Sequence, residues 1–155
     1  MSKSFPPYIS KNIFGRKTRF RSAKNVVDEL SLLKDKYKID GFFILDDTFT
    51  INKVYVLNIC EELKPRKIDL IWGCETRPNL VNKDLLAEME KAGCIQIDFG
   101  VESGSQKVLD NLQKDITPSQ SIKAFSICRE LGIRTFANFM INNPEETWED
   151  IEKTK

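Results

Sequence analysis

The 155-residue chain contains no histidine. This excludes a serine–histidine or cysteine–histidine dyad and the common zinc sites that use imidazole. Its four cysteines, Cys60, Cys74, Cys94 and Cys128, are widely spaced, and no two form C-x-x-C. A zinc ribbon or an iron–sulfur motif within this chain is therefore not expected, whereas buried thiols in a reducing cytosol are. No apolar run approaches the roughly 20 residues of a membrane span. No signal-peptide core opens the chain, so a cytoplasmic location and no membrane contact are expected. A net charge of +1 gives no global reason to expect nucleic acid. No G-x-G-x-x-G follows the first apolar run, which disfavours a Rossmann nucleotide site.

What is present fits one globular domain, with 41% hydrophobic and 30% charged residues. Charge is uneven along the chain. Residues 1–27 hold Lys3, Lys11, Arg16, Lys17, Arg19, Arg21 and Lys24 and no acid. Pro6, Pro7 and Gly15 break that stretch, so residues 1–21 read as a basic lead-in loop. It is either a solvated terminus or a segment lying over an anionic ligand.

From residue 22 onward, helical and strand patterns alternate. Val26, Leu30, Leu33 and Tyr37 form a helical stripe with Ser22 as N-cap. The run Phe42–Leu45 suits a strand buried on both faces. Val56, Ile59, Cys60 and Leu63 make the next helix, followed by a strand at Leu70–Trp72. Leu85, Leu86, Met89 and Ala92 are helical and end at Gly93; the next strand is Ile95–Phe99. Ser103 and Gln106 have the spacing of a capping box, as do Thr117 and Gln120, the latter with Pro118 at the first helical position. Ala124, Ile127, Cys128 and Leu131 are the buried stripe of that second helix, and Gly132 caps it. Thr135–Ile141 is the last strand, and Thr147 opens a final helix.

About four β-α units in succession predict parallel strands with right-handed crossovers, in an open sheet or a barrel. Four units are too few for an eight-fold barrel. The chain also opens in a loop and stops early in a helix, so a fragment of a larger α/β domain is expected. In such folds ligands bind where the strands end. That rim collects Asp46, Asp47, Glu75, Arg77, Glu102 and either Glu145 or Glu146. Carboxylates grip an amine, ribose hydroxyls or a metal, and an arginine grips a carboxylate as a fork. Each has a plainer alternative. Asp46 and Asp47 are also suited to cap a helix, and Arg77 to form a structural ion pair. Glu102 lies between Gly100 and Gly104, where backbone comes close to a ligand.

Asp46-Asp47-Thr48-Phe49-Thr50, Arg77, Ala92-Gly93-Cys94, Phe99 to Ser105, Lys114 and Phe139 to Thr147 together resemble the radical SAM superfamily. The nearest flavour is the group whose members often carry an N-terminal cobalamin-binding domain; methylthiotransferases are similar but less close. Gly15 to Ser22 resembles the segment that follows the cluster-binding loop there. The likeness implies a partial (β/α)6 TIM-like barrel, of which residues 22–155 supply the core units. It implies S-adenosylmethionine as cofactor. Asp46, Asp47 and Thr48 would hold the methionyl amine, Glu102 the ribose hydroxyls and Lys114 the carboxylate, with Ser103 a further cofactor-binding position. Arg77 is a second candidate for that carboxylate or for substrate. The backbone from Ile141 through Asn142 and Asn143 to Glu145 would lie against adenine.

The resemblance departs at two points. The family signature C-x-x-x-C-x-x-C is absent, so the ligands of a [4Fe-4S] cluster are expected upstream of this chain. Such a cluster reduces S-adenosylmethionine to a 5′-deoxyadenosyl radical, so the fragment alone is expected to be inert. Asn142 stands where the family more often has glycine, and a positive φ there would let it substitute. Cobalamin is admitted in the parent protein, the substrate is not specified, and self-association through exposed strand edges is expected. Two rivals remain open: a non-catalytic (β/α) ligand-binding module, and a magnesium-dependent hydrolase using the rim acids.

Overall fold

The computed structural model describes residues 18–66 and 68–155. Most of the expected basic lead-in, including Gly15, Arg16 and Lys17, lies outside the described residues. The element order is α1 (Ala23–Tyr37), β1 (Gly41–Ile44), a 3-10 turn (Phe49–Ile51), α2 (Lys53–Leu63) and β2 (Ile71–Thr76). A second 3-10 turn (Pro78–Leu80), α3 (Lys83–Lys91), β3 (Cys94–Glu102) and α4 (Gln106–Asn111) follow. The order ends with α5 (Pro118–Glu130), β4 (Arg134–Phe139) and α6 (Trp148–Glu152).

The four strands form one sheet in the order β1-β2-β3-β4, with every neighbouring pair parallel. The α/β architecture is that of a partial TIM-like barrel. Strand alternation sends Phe42, Ile44, Trp72, Cys74, Ile97, Phe99 and Ala137 toward the helices. There they meet Val27, Val56, Ile59, Leu86, Met89, Ala124 and Cys128 in one apolar core. Trp72 anchors this layer. Its ring lies between Phe42 and Phe49, and its indole N–H donates to the Ala92 carbonyl at 2.8 Å.

The helix ends follow from local chemistry. The side chains of Ser22, Asn52, Asn82, Thr117 and Thr147 each accept a backbone N–H at a helix start. Thr117 and Thr147 do so in full capping boxes, with Gln120 and Asp150 reaching back. At the opposite ends, Gly93 (φ 93°) and Gly132 (φ 74°) take left-handed backbone to turn into β3 and β4.

Several expectations need correction. Phe42–Leu45 is not buried on both faces: Phe43 and Leu45 are 38% and 78% exposed, because alternation turns them to the face away from the helices. There Phe43 lies across Gly73, where a β-carbon would sit 2.7 Å from its ring. Tyr37 is exposed, since α1 ends at it and Lys38 turns left-handed, and Val27 takes the innermost position. The second strand runs to Thr76, past Gly73, whose missing side chain hid it from an apolar count. The fourth strand stops at Phe139, because left-handed Asn142 (φ 68°) turns the chain away. Ser103 does not cap α4. Ser105 is the flanking residue, and the Ser103 hydroxyl instead accepts the Ser105 N–H at 3.1 Å.

Candidate functional site

All four strands point the same way, so their C-terminal ends form one rim. The loops after β1 and β2 are clasped by a buried hydroxyl pair, Thr50 to Thr76, at 2.5 Å. This sets the Asp46–Thr48 loop against the strand end that leads into Arg77. Asp46 and Asp47 are exposed, and neither caps a helix; Asn52 does that work for α2. The Thr48 hydroxyl donates to the Asp47 carbonyl.

Arg77 forms no ion pair among the described residues. Its Nε and Nη2 atoms are buried and lack a hydrogen-bond acceptor. A guanidinium held this way retains two donors of its fork for an anionic group. The structural ion pair weighed for Arg77 in the sequence is therefore not what the structure contains.

The loops after β3 and β4 are clasped as well. The Met140 N–H donates to the Glu102 carbonyl at 2.8 Å, and Lys107 Nζ donates to the Glu145 carbonyl at 2.8 Å. Glu102 ends β3 with φ 68°, a left-handed conformation unusual for a residue with a side chain. Its carboxylate folds back over Gly100, where a β-carbon would lie 3.2 Å from Oε1. Lys114 Nζ meets the same Oε1 at 2.7 Å. Both side chains are largely buried, so this pair is better shielded from solvent than the surface bridges of the molecule. Glu102 is thus not a lone carboxylate, and two groups assigned separate roles in the sequence are direct partners.

Asn142 and Glu145 are also left-handed, with φ 68° and 64°. Asn142 therefore takes the glycine-like backbone its position asks for. Met140 and Ile141 are exposed beside them. The Asn143 N–H donates to Glu146 Oε2 at 2.9 Å, while Glu146 Oε1 is buried without a partner.

Residues that sequence reasoning passed over hold the β3 loop in place. Ser105 Oγ donates to Asp150 Oδ1 at 2.6 Å, and the Gly104 N–H donates to Thr154 Oγ1 at 2.9 Å. Ser103 Oγ lies 3.3 Å from Thr154 Oγ1. The Ser105 hydroxyl and the Thr147 N–H hold the Asp150 carboxyl well below the usual carboxylate range. Asp150 could be foreseen as a helix cap from Thr147-x-x-Asp150, but not as a partner of residues some 45 positions earlier.

The cysteines do not suit an iron–sulfur cluster, which needs thiolates. All four are buried and free. Burial pushes Cys60 and Cys128 up to about 12, and the Cys94 thiol together with burial pushes Cys74 up too. Among the described residues no group of histidine, cysteine, aspartate or glutamate is arranged to hold a metal ion. The rim gathers exposed acids at Asp46 and Asp47, two unused buried donors on Arg77, and left-handed backbone at Glu102, Asn142 and Glu145.

The fold defines a parallel (β/α) core with its polar loops gathered on one rim. The chain belongs to the radical SAM superfamily, whose family model matches residues 5–155. It is 37% identical over 141 residues to an uncharacterized methyltransferase of Pyrococcus horikoshii, covering 91% of this chain and 31% of that protein. It is 34% identical over 143 residues to the anaerobic magnesium-protoporphyrin IX monomethyl ester cyclase of Rubrivivax gelatinosus, covering 91% of this chain and 26% of that one. The chain thus spans between a quarter and a third of the length of these two curated relatives. In fold it resembles the radical S-adenosylmethionine methyltransferase TsrM of Kitasatospora setae, solved with cobalamin and a [4Fe-4S] cluster. The TM-score is 0.78 at 19% identity, over 90% of this chain and 28% of that one. The cobalamin-dependent radical enzyme OxsB, with S-adenosylmethionine bound, gives 0.73 at 21%, over 85% and 21%.

Proposed function

We propose that this chain is the S-adenosylmethionine-binding portion of a radical SAM enzyme, an oxidoreductase or transferase. The observation that carries the reading is the charge arrangement of the rim. A shielded Glu102–Lys114 pair stands at a left-handed strand end, and Arg77 keeps two buried donors unused on the same rim. Glu102 takes the ribose hydroxyls; Ser103, fully buried with its hydroxyl on the Ser105 N–H, braces the bend instead. Asp46, Asp47 and Thr48 take the methionyl amine. The carboxylate goes to Arg77 or Lys114, and Arg77 is favoured because Lys114 already holds Glu102. The backbone from Ile141 to Glu145 takes adenine.

Within the family a [4Fe-4S] cluster supplies the electron that cleaves the cofactor. This chain's thiols do not suit that cluster, so the chain alone binds its cofactor weakly and is inert. Cobalamin stays outside the proposal, because identities near 20% to its carriers speak to the fold alone. The division into a lead-in (1–21) and a core (22–155) is part of the same reading. So are a small-molecule ligand without nucleic acid or membrane, and self-association of the isolated chain through its strand edges. A cytoplasmic location fits four free thiols. No helix among the described residues is long and apolar enough to cross a membrane.

Equilibrium dialysis with S-adenosylmethionine, using the full-length protein, tests the assignment. Glu102→Ala should weaken binding by roughly tenfold or more, as loss of a charged hydrogen-bond acceptor does. An unchanged affinity in a folded variant would remove Glu102 from the site and leave a ligand-binding module of another kind.

A further inference from the structure

The bend Glu102-Ser103-Gly104-Ser105 is secured mainly by α6 and the residues after it. Ser105 Oγ bonds Asp150 Oδ1 at 2.6 Å, and the Gly104 N–H bonds Thr154 Oγ1 at 2.9 Å. Thr154 Oγ1 in turn lies 3.3 Å from the Asp150 carbonyl, so both anchors belong to one unit. The approach is so close that a β-carbon on Gly104 would collide with the Lys153 carbonyl and lie 2.9 Å from Thr154 Cα. No other side chain would fit there without moving α6.

Asp150 does more here than a helix cap requires. Its Oδ2 serves the cap, accepting the Thr147 N–H at 3.1 Å and the Thr147 hydroxyl at 3.0 Å. Its Oδ1 is turned away from the cap, toward Ser105. The side chain is 4% exposed, and Lys107 Nζ approaches Oδ2 at 3.4 Å. The same ammonium donates to the Glu145 carbonyl at 2.8 Å. One carboxylate therefore touches the β3 loop through Ser105, and through Lys107 it reaches the β4 loop. The other capping box, Thr117 with Gln120, shows no such link among the described residues: there the Gln120 carbonyl oxygen accepts the Thr117 N–H of its own cap.

We infer that Asp150, with Lys107, is a positioning residue that holds the Glu102 bend and the 141–145 loop in register, so that both can grip one ligand. This rests on the reading of that rim as the S-adenosylmethionine site. The physical need is plain. Glu102 in left-handed backbone is strained, and persists only if its surroundings hold it. Its following residues are tied to a buried, charged acceptor, the strongest kind of hydrogen bond available there. Asp150 contacts no atom assigned to the ligand; it acts through Ser105 and Lys107.

The test uses the full-length protein, with S-adenosylmethionine affinity from equilibrium dialysis and amide hydrogen exchange read side by side. Ser105→Ala cuts the link to the bend and spares the cap. It should weaken binding roughly tenfold and speed exchange at Gly104 and Ser105 without speeding it in α5. Thr147→Ala cuts the cap and spares the link, so it should lower the melting temperature with little effect on affinity. Lys107→Met should weaken binding while leaving the Gly104 amide protected. Glu102→Gln serves as the control for the site itself. If Glu102→Gln weakens binding and Ser105→Ala does not, the positioning role is wrong. If Ser105→Ala and Thr147→Ala weaken binding equally, Asp150 is only structural. If Glu102→Gln has no effect, the cofactor reading has failed instead.

Discussion

Cys60, Cys74 and Cys128 are core side chains, with Cys60 and Cys128 pushed up to about 12 by burial and Cys74 pushed up as well. A thiol in that state is neither a nucleophile nor a ligand at neutral pH. Cys94 is buried with them. Native protein treated with iodoacetamide at about pH 8 should therefore stay unmodified over the time in which denatured protein takes up four labels, as intact mass spectrometry would show. Rapid labelling of the native chain would mean that this core opens readily. Wide spacing already argued against a cluster within the chain, and burial supplies the physical reason. The rim positions of the acids and of Arg77 were legible too, since each lies within a few residues of the end of an apolar run. What spacing could not show was pairing. Glu102 and Lys114 are twelve residues apart across a whole helix, and left-handed backbone at Glu102 and on both sides of Lys114, at Gln113 and Asp115, accompanies their meeting at 2.7 Å.

Among the elements, the helix-to-strand turns bear much of the geometry. Gly93 and Gly132 both have positive φ, but their surroundings differ. A β-carbon at Gly93 would sit 2.6 Å from the Leu70 carbonyl oxygen, whereas nothing lies within 4 Å of one at Gly132. Gly132→Ala should cost only the backbone penalty of about 1–2 kcal/mol. Gly93→Ala should cost more, because the strand entry must shift as well. Urea midpoints of the two variants check the order, and equal losses would show that the Leu70 contact yields freely. Both glycines and the caps at Ser22, Thr117 and Thr147 could be read from sequence, because capping chemistry is local. The exposed Phe43 and Leu45 could not. A run such as Phe42–Leu45 looks the same whether the far face is filled or open, and only the tertiary arrangement decides. The Ser103–Gln106 pattern misled for a related reason: Asp150 competes for the hydroxyl of Ser105, and Ser103 turns to the amide that follows.

For the molecule as a whole, three carboxylates among the described residues have lowered folded-state values, each from a different region. Lys24 and Arg66 lower Asp28, Lys64 and Lys91 lower Glu88 to about 2, and Ser105 with Thr147 lowers Asp150. A carboxylate whose folded value lies below its unfolded one contributes stability above the unfolded value, and that contribution is lost as pH falls through the folded one. The urea midpoint should thus be nearly flat from pH 7 to about 5 and fall steadily from about 4.5 to 2. In Lys64→Met with Lys91→Met, the part of that fall due to Glu88 should disappear. A midpoint insensitive to acid would mean that these ion pairs persist in the unfolded chain.

Parallel strands also divide the molecule by task. The turns that carry a helix back into a strand, at Lys38, Gly93 and Gly132, all lie at one end. The loops built around Asp46, Arg77, Glu102 and Asn142 all lie at the other. On the proposed reading, mutations at the first end are felt as folding defects, and those at the second as changes in ligand binding. Exchanging whole strand-to-helix loops between relatives should therefore transplant ligand preference onto an unaltered frame, provided that Asp150 and Lys107 travel with the loops they join. A line of descent can revise its chemistry at one pole while the other keeps the protein folded.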